Sequence, residues 1–195
     1  MESREDGGTP PFLQTIKTAL CIKLKEQMKP EMMLKREEIL REHIFKRLRS
    51  IKNLHILAGN IQERLLIFSF HIDELHYNLG VKLLNDRFGI QVRGGCSCAG
   101  TYGHYLLHVS PEMSKAITNK IDNCDLSEKP GWIRFSVHPV MEDSEIEYII
   151  DSVEELAKKH KFWGEDYYYD GLNNNFVHKS SSRHEEISVN KWFDD

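Results

Sequence analysis

Residues 93–104 read RGGCSCAGTYGH: two cysteines one residue apart, behind an arginine and two glycines and ahead of two more glycines and a histidine. The glycines tolerate positive φ and let the main chain approach a ligand closely, but a simple turn would use them as well. Exposed thiols between Arg93 and His104 would be biased toward thiolate, the nucleophilic form. Cys96, Cys98, His104 and His108 together offer two sulfur and two nitrogen ligands, the donor set of a structural zinc site. The spacing argues against that reading, because zinc sites separate paired cysteines by two or more residues and YLLHV around His108 reads as strand or core. Turn, reactive thiol and metal knuckle are the three chemistries the segment offers.

A second feature is Arg134 in WIRFSV. Alternation places Ile133, Phe135 and Val137 on one strand face, and Trp132, Arg134 and Ser136 on the other. A strand arginine needs an anionic partner or a route to water. A surface position or an internal ion pair would satisfy it, and so would a cleft in which the planar guanidinium grips a carboxylate in bidentate fashion.

Several elements must position these residues. Leu13, Ile16, Leu20 and Leu24 share one face of a helix expected from about Pro11 to Met28, and Pro30 interrupts it. A second helix fits Glu31 to Arg49, with Met33, Leu40, Ile44 and Leu48 inward and the charges of KREEILREH on a solvated face. LHIL and the alternating Leu66, Phe68, Phe70 and Ile72 read as strands. A helix is expected from Asp73 to Asp86 with Gly89 just beyond its end, followed by a short strand at Ile90 and Val92. Ser110 and Pro111 open another helix. Asp143 or Ser144 caps the last, whose stripe is Ile146, Ile149, Ile150, Val153 and Leu156. Beyond Phe162 the periodicity stops, and a polar tail is expected to be extended or partly disordered, with aromatics available for docking. The order predicts an α+β fold, with helices packed on a small antiparallel or mixed sheet.

The 195 residues carry 30 acidic and 26 basic side chains, a net charge of -4 that gives no long-range attraction for nucleic acid or an anionic membrane. RLLIFSFHI is far shorter than the roughly 20 residues of a spanning helix. Four cysteines, none needed to hold a chain of this size together, and a start without a secretory pattern point to the cytoplasm.

DGGTP, LLNDRFGIQVRGGCSCAG and GWIRFSVHPVMEDSEIEYII, in this order, resemble the C-terminal part of class V aminotransferase-fold enzymes, the pyridoxal-phosphate group that includes cysteine desulfurases and selenocysteine lyases. The resemblance runs from about Glu5 to Lys159 and implies the C-terminal small domain of a fold type I enzyme. It matches Arg93, Gly95 and Cys98 to the desulfurase segment whose cysteine accepts sulfur as a persulfide, which leaves Cys96 at a variable position. It also matches Arg134 to the arginine that binds the carboxylate of the amino-acid substrate. Gly8 and Thr9 match a turn whose threonine reaches the cofactor phosphate across a dimer, although the same residues suit a capping turn.

In the family, the Schiff-base lysine, the acidic partner of the ring nitrogen and the large domain all precede DGGTP. Here Met1 stands only a few residues before it, so the resemblance implies a catalytically incomplete chain, a fragment or split protein. Lys179 follows a histidine as the family lysine does, but it sits in the polar tail without the family's continuation and is set aside. The expected organisation is an edge of the large domain at 1–30, the small domain at 31–160 and the tail at 161–195. The expected partners are an amino acid and either a second copy or a complementary large-domain chain, with pyridoxal phosphate in the complete enzyme. A non-catalytic interaction or thiol-bearing module and a small zinc-binding domain are the alternatives.

Overall fold

α1 spans Phe12–Gln27 and α2 spans Pro30–Arg49 in a computed structural model that describes residues 4, 7–96 and 100–180. Pro30 sits at the start of α2, where its missing N–H costs nothing and its fixed φ suits the first turn. β1 (Leu54–Ile56), β2 (Ile67–Ile72), β3 (Arg93–Gly95) and β4 (Trp132–Ser136) form one antiparallel sheet in the order β1-β2-β4-β3. Between and around the strands run α3 (Tyr77–Phe88), α4 (Gly100–Leu106), α5 (Pro111–Asp122) and α6 (Asp143–Gly164). The arrangement is the expected α+β fold. No helix among the described residues is long and apolar enough to cross a membrane.

Strand alternation sends Phe68, Phe70, Ile133 and Phe135 into one core with Ile44 and Leu48 of α2, Leu83 and Leu84 of α3, and Ile146, Ile150, Val153 and Leu156 of α6. The rings of Phe68 and Phe135 stack at 5.4 Å, and Phe45 meets Phe68 edge-on at 5.4 Å. Each such fully buried side chain contributes about 1.5–3 kcal/mol relative to exposure, which holds three helices against one sheet face. Part of the charge run expected as solvated turns toward α6: Arg36 pairs with Asp143 and His43 with Glu147. One turn further along α2, Arg47 reaches Asp151 at 2.6 Å.

Several local expectations change. The strand near Ile90 and Val92 begins later, at Arg93, because pairing with β4 starts at Arg93↔Arg134, while Ile90 and Val92 pack against the core. The second half of the glycine-rich segment is helix rather than loop or strand, and α4 takes in Tyr105 and Leu106 of YLLHV. Gly103 allows that packing, since a Cβ there would stand 3.2 Å from Cζ3 of Trp132. The N-cap of α6 is Glu142, one residue before the expected Asp143, and its N–H donates to Oε2 of Glu145 at 2.9 Å.

The expected extended tail is instead structured as far as residue 180. α6 continues to Gly164, and β5 (Tyr167–Asp170) and β6 (Asn175–His178) then form an antiparallel hairpin. Asp170 folds the connection by accepting from the N–H of Leu172 at 3.1 Å and from Nδ2 of Asn173 at 2.7 Å. Its aromatics do dock: the Tyr167 hydroxyl donates to Asp86 of α3 at 2.9 Å.

Candidate functional site

The sheet face opposite the core carries the side chains that the packing leaves free for chemistry. Arg93 and Arg134 are direct cross-strand partners, Ser69 pairs with Arg134 on the other side, and Trp132 pairs with Gly95. Cross-strand partners project from the same face, so the register places two guanidinium-bearing side chains side by side. Arg93 is exposed and Arg134 half-buried, and neither has an ion pair or side-chain hydrogen bond among the described residues. Like charges opposed in this way repel, and an anion between them would relieve the repulsion.

Arg134, Ser69 and Trp132 border a groove of about 440 Å³. One wall is the β1–β2 connection, including Leu57, Ile61 and Arg64; the other is α4, through Tyr102 and Leu106. Arg64 is fixed by three backbone carbonyls: Nε donates to Ile61 at 2.8 Å, Nη1 to Leu57 at 3.2 Å and Nη2 to Ala58. Burial, with Arg49 nearby, lowers its pKa. Sequence reasoning missed Arg64 and Tyr102. Arg64 had no signal in a turn-prone, charge-bearing stretch, whereas Tyr102 stands within the glycine-rich segment itself. Further along the same face His55 stacks on His71 with centroids 4.8 Å apart and bonds Asp73 at 2.9 Å; burial and His55 lower the His71 pKa.

Cys96 directly follows β3 and lines a separate cavity of about 200 Å³ with His104, Thr118 and Lys129. His104 Nδ1 lies 3.3 Å from Ser114 Oγ, while His108 lines a different groove beside His55. Among the described residues no group of three or more His, Cys, Asp or Glu side chains is placed to hold a metal, so Cys96, His104 and His108 do not converge as ligands. Cys98, the residue matched to the sulfur acceptor, lies outside the described residues.

Gly8 and Thr9 stand exposed ahead of α1, and a Cβ at Gly8 would meet nothing within 4 Å. Neither lines the groove that contains Arg134. Lys179 is exposed at the end of the hairpin and donates from Nζ to the carbonyl of Glu165. These residues form no cradle for a phosphate and no lysine pocket within the described chain, so they do not fit a bound pyridoxal phosphate by themselves.

The Aminotransferase class-V family model matches residues 1–149. The chain belongs to the class V aminotransferase family. Enzymes of this family are pyridoxal-phosphate-dependent in general. Two solved structures show the same fold: a cysteine desulfurase from Thermococcus onnurineus NA1, at a TM-score of 0.53 and 22% identity, and the cysteine desulfurase CsdA from Escherichia coli, at 0.52 and 13%. The first match covers 80% of this chain and 33% of that one, the second 78% and 32%, so this class V chain spans about a third of each neighbour's length. No curated protein matches it. Within the class V frame, Arg93, Arg134 and Cys96 come from the adjoining strands β3 and β4 and the position directly after β3, whereas Gly8 and Thr9 stay apart.

Proposed function

We propose that this chain is the substrate-carboxylate and sulfur-acceptor part of a class V pyridoxal-phosphate enzyme acting on an amino acid in the cytoplasm, and that it is catalytically incomplete alone. The cross-strand pair Arg93 and Arg134, without an acidic partner among the described residues, carries the reading. Arg134 holds the α-carboxylate in bidentate fashion, and Arg93 adds positive potential beside it. Cys98 is the sulfur acceptor of this reading: its thiolate would bond to the substrate sulfur as the substrate Cβ–S bond breaks, the bonding pair passing to the electron sink that pyridoxal phosphate would supply in the complete enzyme. The cofactor would come with a complementary large-domain chain or a second copy, toward which Gly8 and Thr9 offer backbone and hydroxyl donors to its phosphate. Residues 1–30 then belong to the edge of that large domain, a reading supported by α1, which buries no residue.

The test is a titration of the Arg134 Nε–H resonance in the isolated chain. L-cysteine should shift it with an apparent Kd of about 1 mM or weaker, as suits a half-exposed ion pair, while cysteamine, which lacks the carboxylate, should not. Arg134→Gln should remove the remaining resonance shifts around the groove. Equal responses to L-cysteine and cysteamine would overturn the carboxylate assignment. Mixed with pyridoxal phosphate, the chain should give no aldimine absorbance. An absorbance that disappears in Lys179→Ala would show that the chain carries its own cofactor lysine.

A further inference from the structure

The family match ends at residue 149, and the hairpin β5–β6 lies beyond it. The geometry points to this hairpin as a strap that positions the strand leading into the cysteine segment, with Asn174 and Tyr77 as its positioning residues. The strap itself is structural, and its bearing on chemistry rests on the role proposed for Cys98, two residues beyond Cys96 in the sequence.

Asn174 is held through three of its polar groups. Its Nδ2 donates to the Tyr77 hydroxyl at 2.9 Å, its Oδ1 accepts from the Tyr169 hydroxyl at 3.0 Å, and its carbonyl accepts from Nδ2 of Asn78. Its φ of 49° is left-handed, a conformation asparagine tolerates better than most residues. His76 stacks on Tyr77 at 4.5 Å and meets Phe176 at 5.3 Å and Tyr169 at 5.6 Å, so rings of the hairpin and of the start of α3 form one cluster.

The other side of the buried Tyr77 ring supports the site strands. A Cβ at Gly131, just before β4, would come 2.5 Å from Cε1 of Tyr77 and 3.0 Å from the Cα of Gly95. A Cβ at Gly94 would come 3.1 Å from Cδ2 of the same ring. Gly95 itself adopts φ 111° and is followed directly by Cys96. The line of contact therefore runs from Asn174 through the Tyr77 ring to Gly94, Gly95 and Gly131, and so to the base of Cys96. Displacing the ring would displace β3, because no side chain intervenes at those glycines.

Iodoacetamide labelling of the full chain, resolved by peptide, tests the strap. The exposed Cys21 and Cys124 serve as references within the same molecule for the half-buried Cys96. Tyr77→Phe keeps the ring and removes only the hydroxyl. Asn174→Gly keeps the left-handed backbone and removes the amide. Tyr77→Phe should raise Cys96 labelling about fivefold against the references, the change that loss of one ordinary hydrogen bond makes in a local opening equilibrium, and Asn174→Gly, which also loses the bond from the Tyr169 hydroxyl, should raise it at least as much. The double variant should rise no further than the larger single effect, because both changes break the same link. Unchanged labelling in Tyr77→Phe, or effects that multiply in the double variant, would overturn the strap. The L-cysteine titration at Arg134 separates the two ideas: failure of the wild-type chain there removes the amino-acid reading and leaves the strap standing.

Discussion

Arg93 and Arg134 oppose each other across β3 and β4 without a carboxylate among the described residues, a placement that costs stability in the absence of ligand. Arg134→Gln should therefore leave the free chain as stable as wild type or more stable, by up to about 1 kcal/mol in urea denaturation, while abolishing the response to L-cysteine. A clear loss of stability would mean that the guanidinium has a structural partner. The facing of Arg134 was legible because strand alternation has a fixed period of two, and the buried Ile133 and Phe135 leave it only the open face. Arg64 was not legible. Its place in the groove wall depends on three carbonyls of a turn whose shape no local pattern announces.

Elements with their own end signals were the most readable, and α5 shows why: Ser110 Oγ accepts from the N–H of Met113 at 3.2 Å with Pro111 in the first turn. The hairpin was hidden because its strands are short and its stabilising contacts lie far away in sequence, on α3. The start of α3 is capped unusually, by His76, whose Nδ1 accepts from the N–H of Asn78 at 3.2 Å. That bond needs an unprotonated Nδ1, and Nε2 is buried with no partner among the described residues. Burial accordingly lowers the His76 pKa from its ordinary 6.5. Below that ordinary value the unfolded chain binds a proton that the folded chain resists. The contribution of His76 is thus complete above about pH 6.5 and is lost as pH falls through its lowered folded value. Chemical denaturation at pH 7 and pH 5 should show a larger loss for wild type than for His76→Asn, which keeps a capping acceptor and does not titrate. His71 remains in both proteins, so an identical pH dependence would show that His76 does not couple protonation to the fold.

Among the described residues two surfaces stand out as uncovered by the fold: the sheet face around Arg134 and the apolar face of α1. Leu13, Ile16, Leu20 and Leu24 keep helical spacing, yet Leu13 is 79% exposed and Leu20 61%, and no residue of α1 is buried. A 16-residue helix with that pattern has the sequence of a packed element and gains no buried residue from packing among the described residues. The spacing made the helix legible from sequence; what it packs against could not be read, because that surface is not in the described fold. Apolar stripes of this kind associate in water. Sedimentation of the concentrated chain should accordingly show self-association that is reduced by replacing Leu13, Leu20 and Leu24 with glutamate. Because α1 contributes no buried residue, the same substitutions should leave the thermal midpoint of the sheet and its three covering helices within about 2 °C of wild type. A fall of many degrees would place α1 within the cooperative fold, and unchanged association would move the sticky surface from α1 to the open face around Arg134.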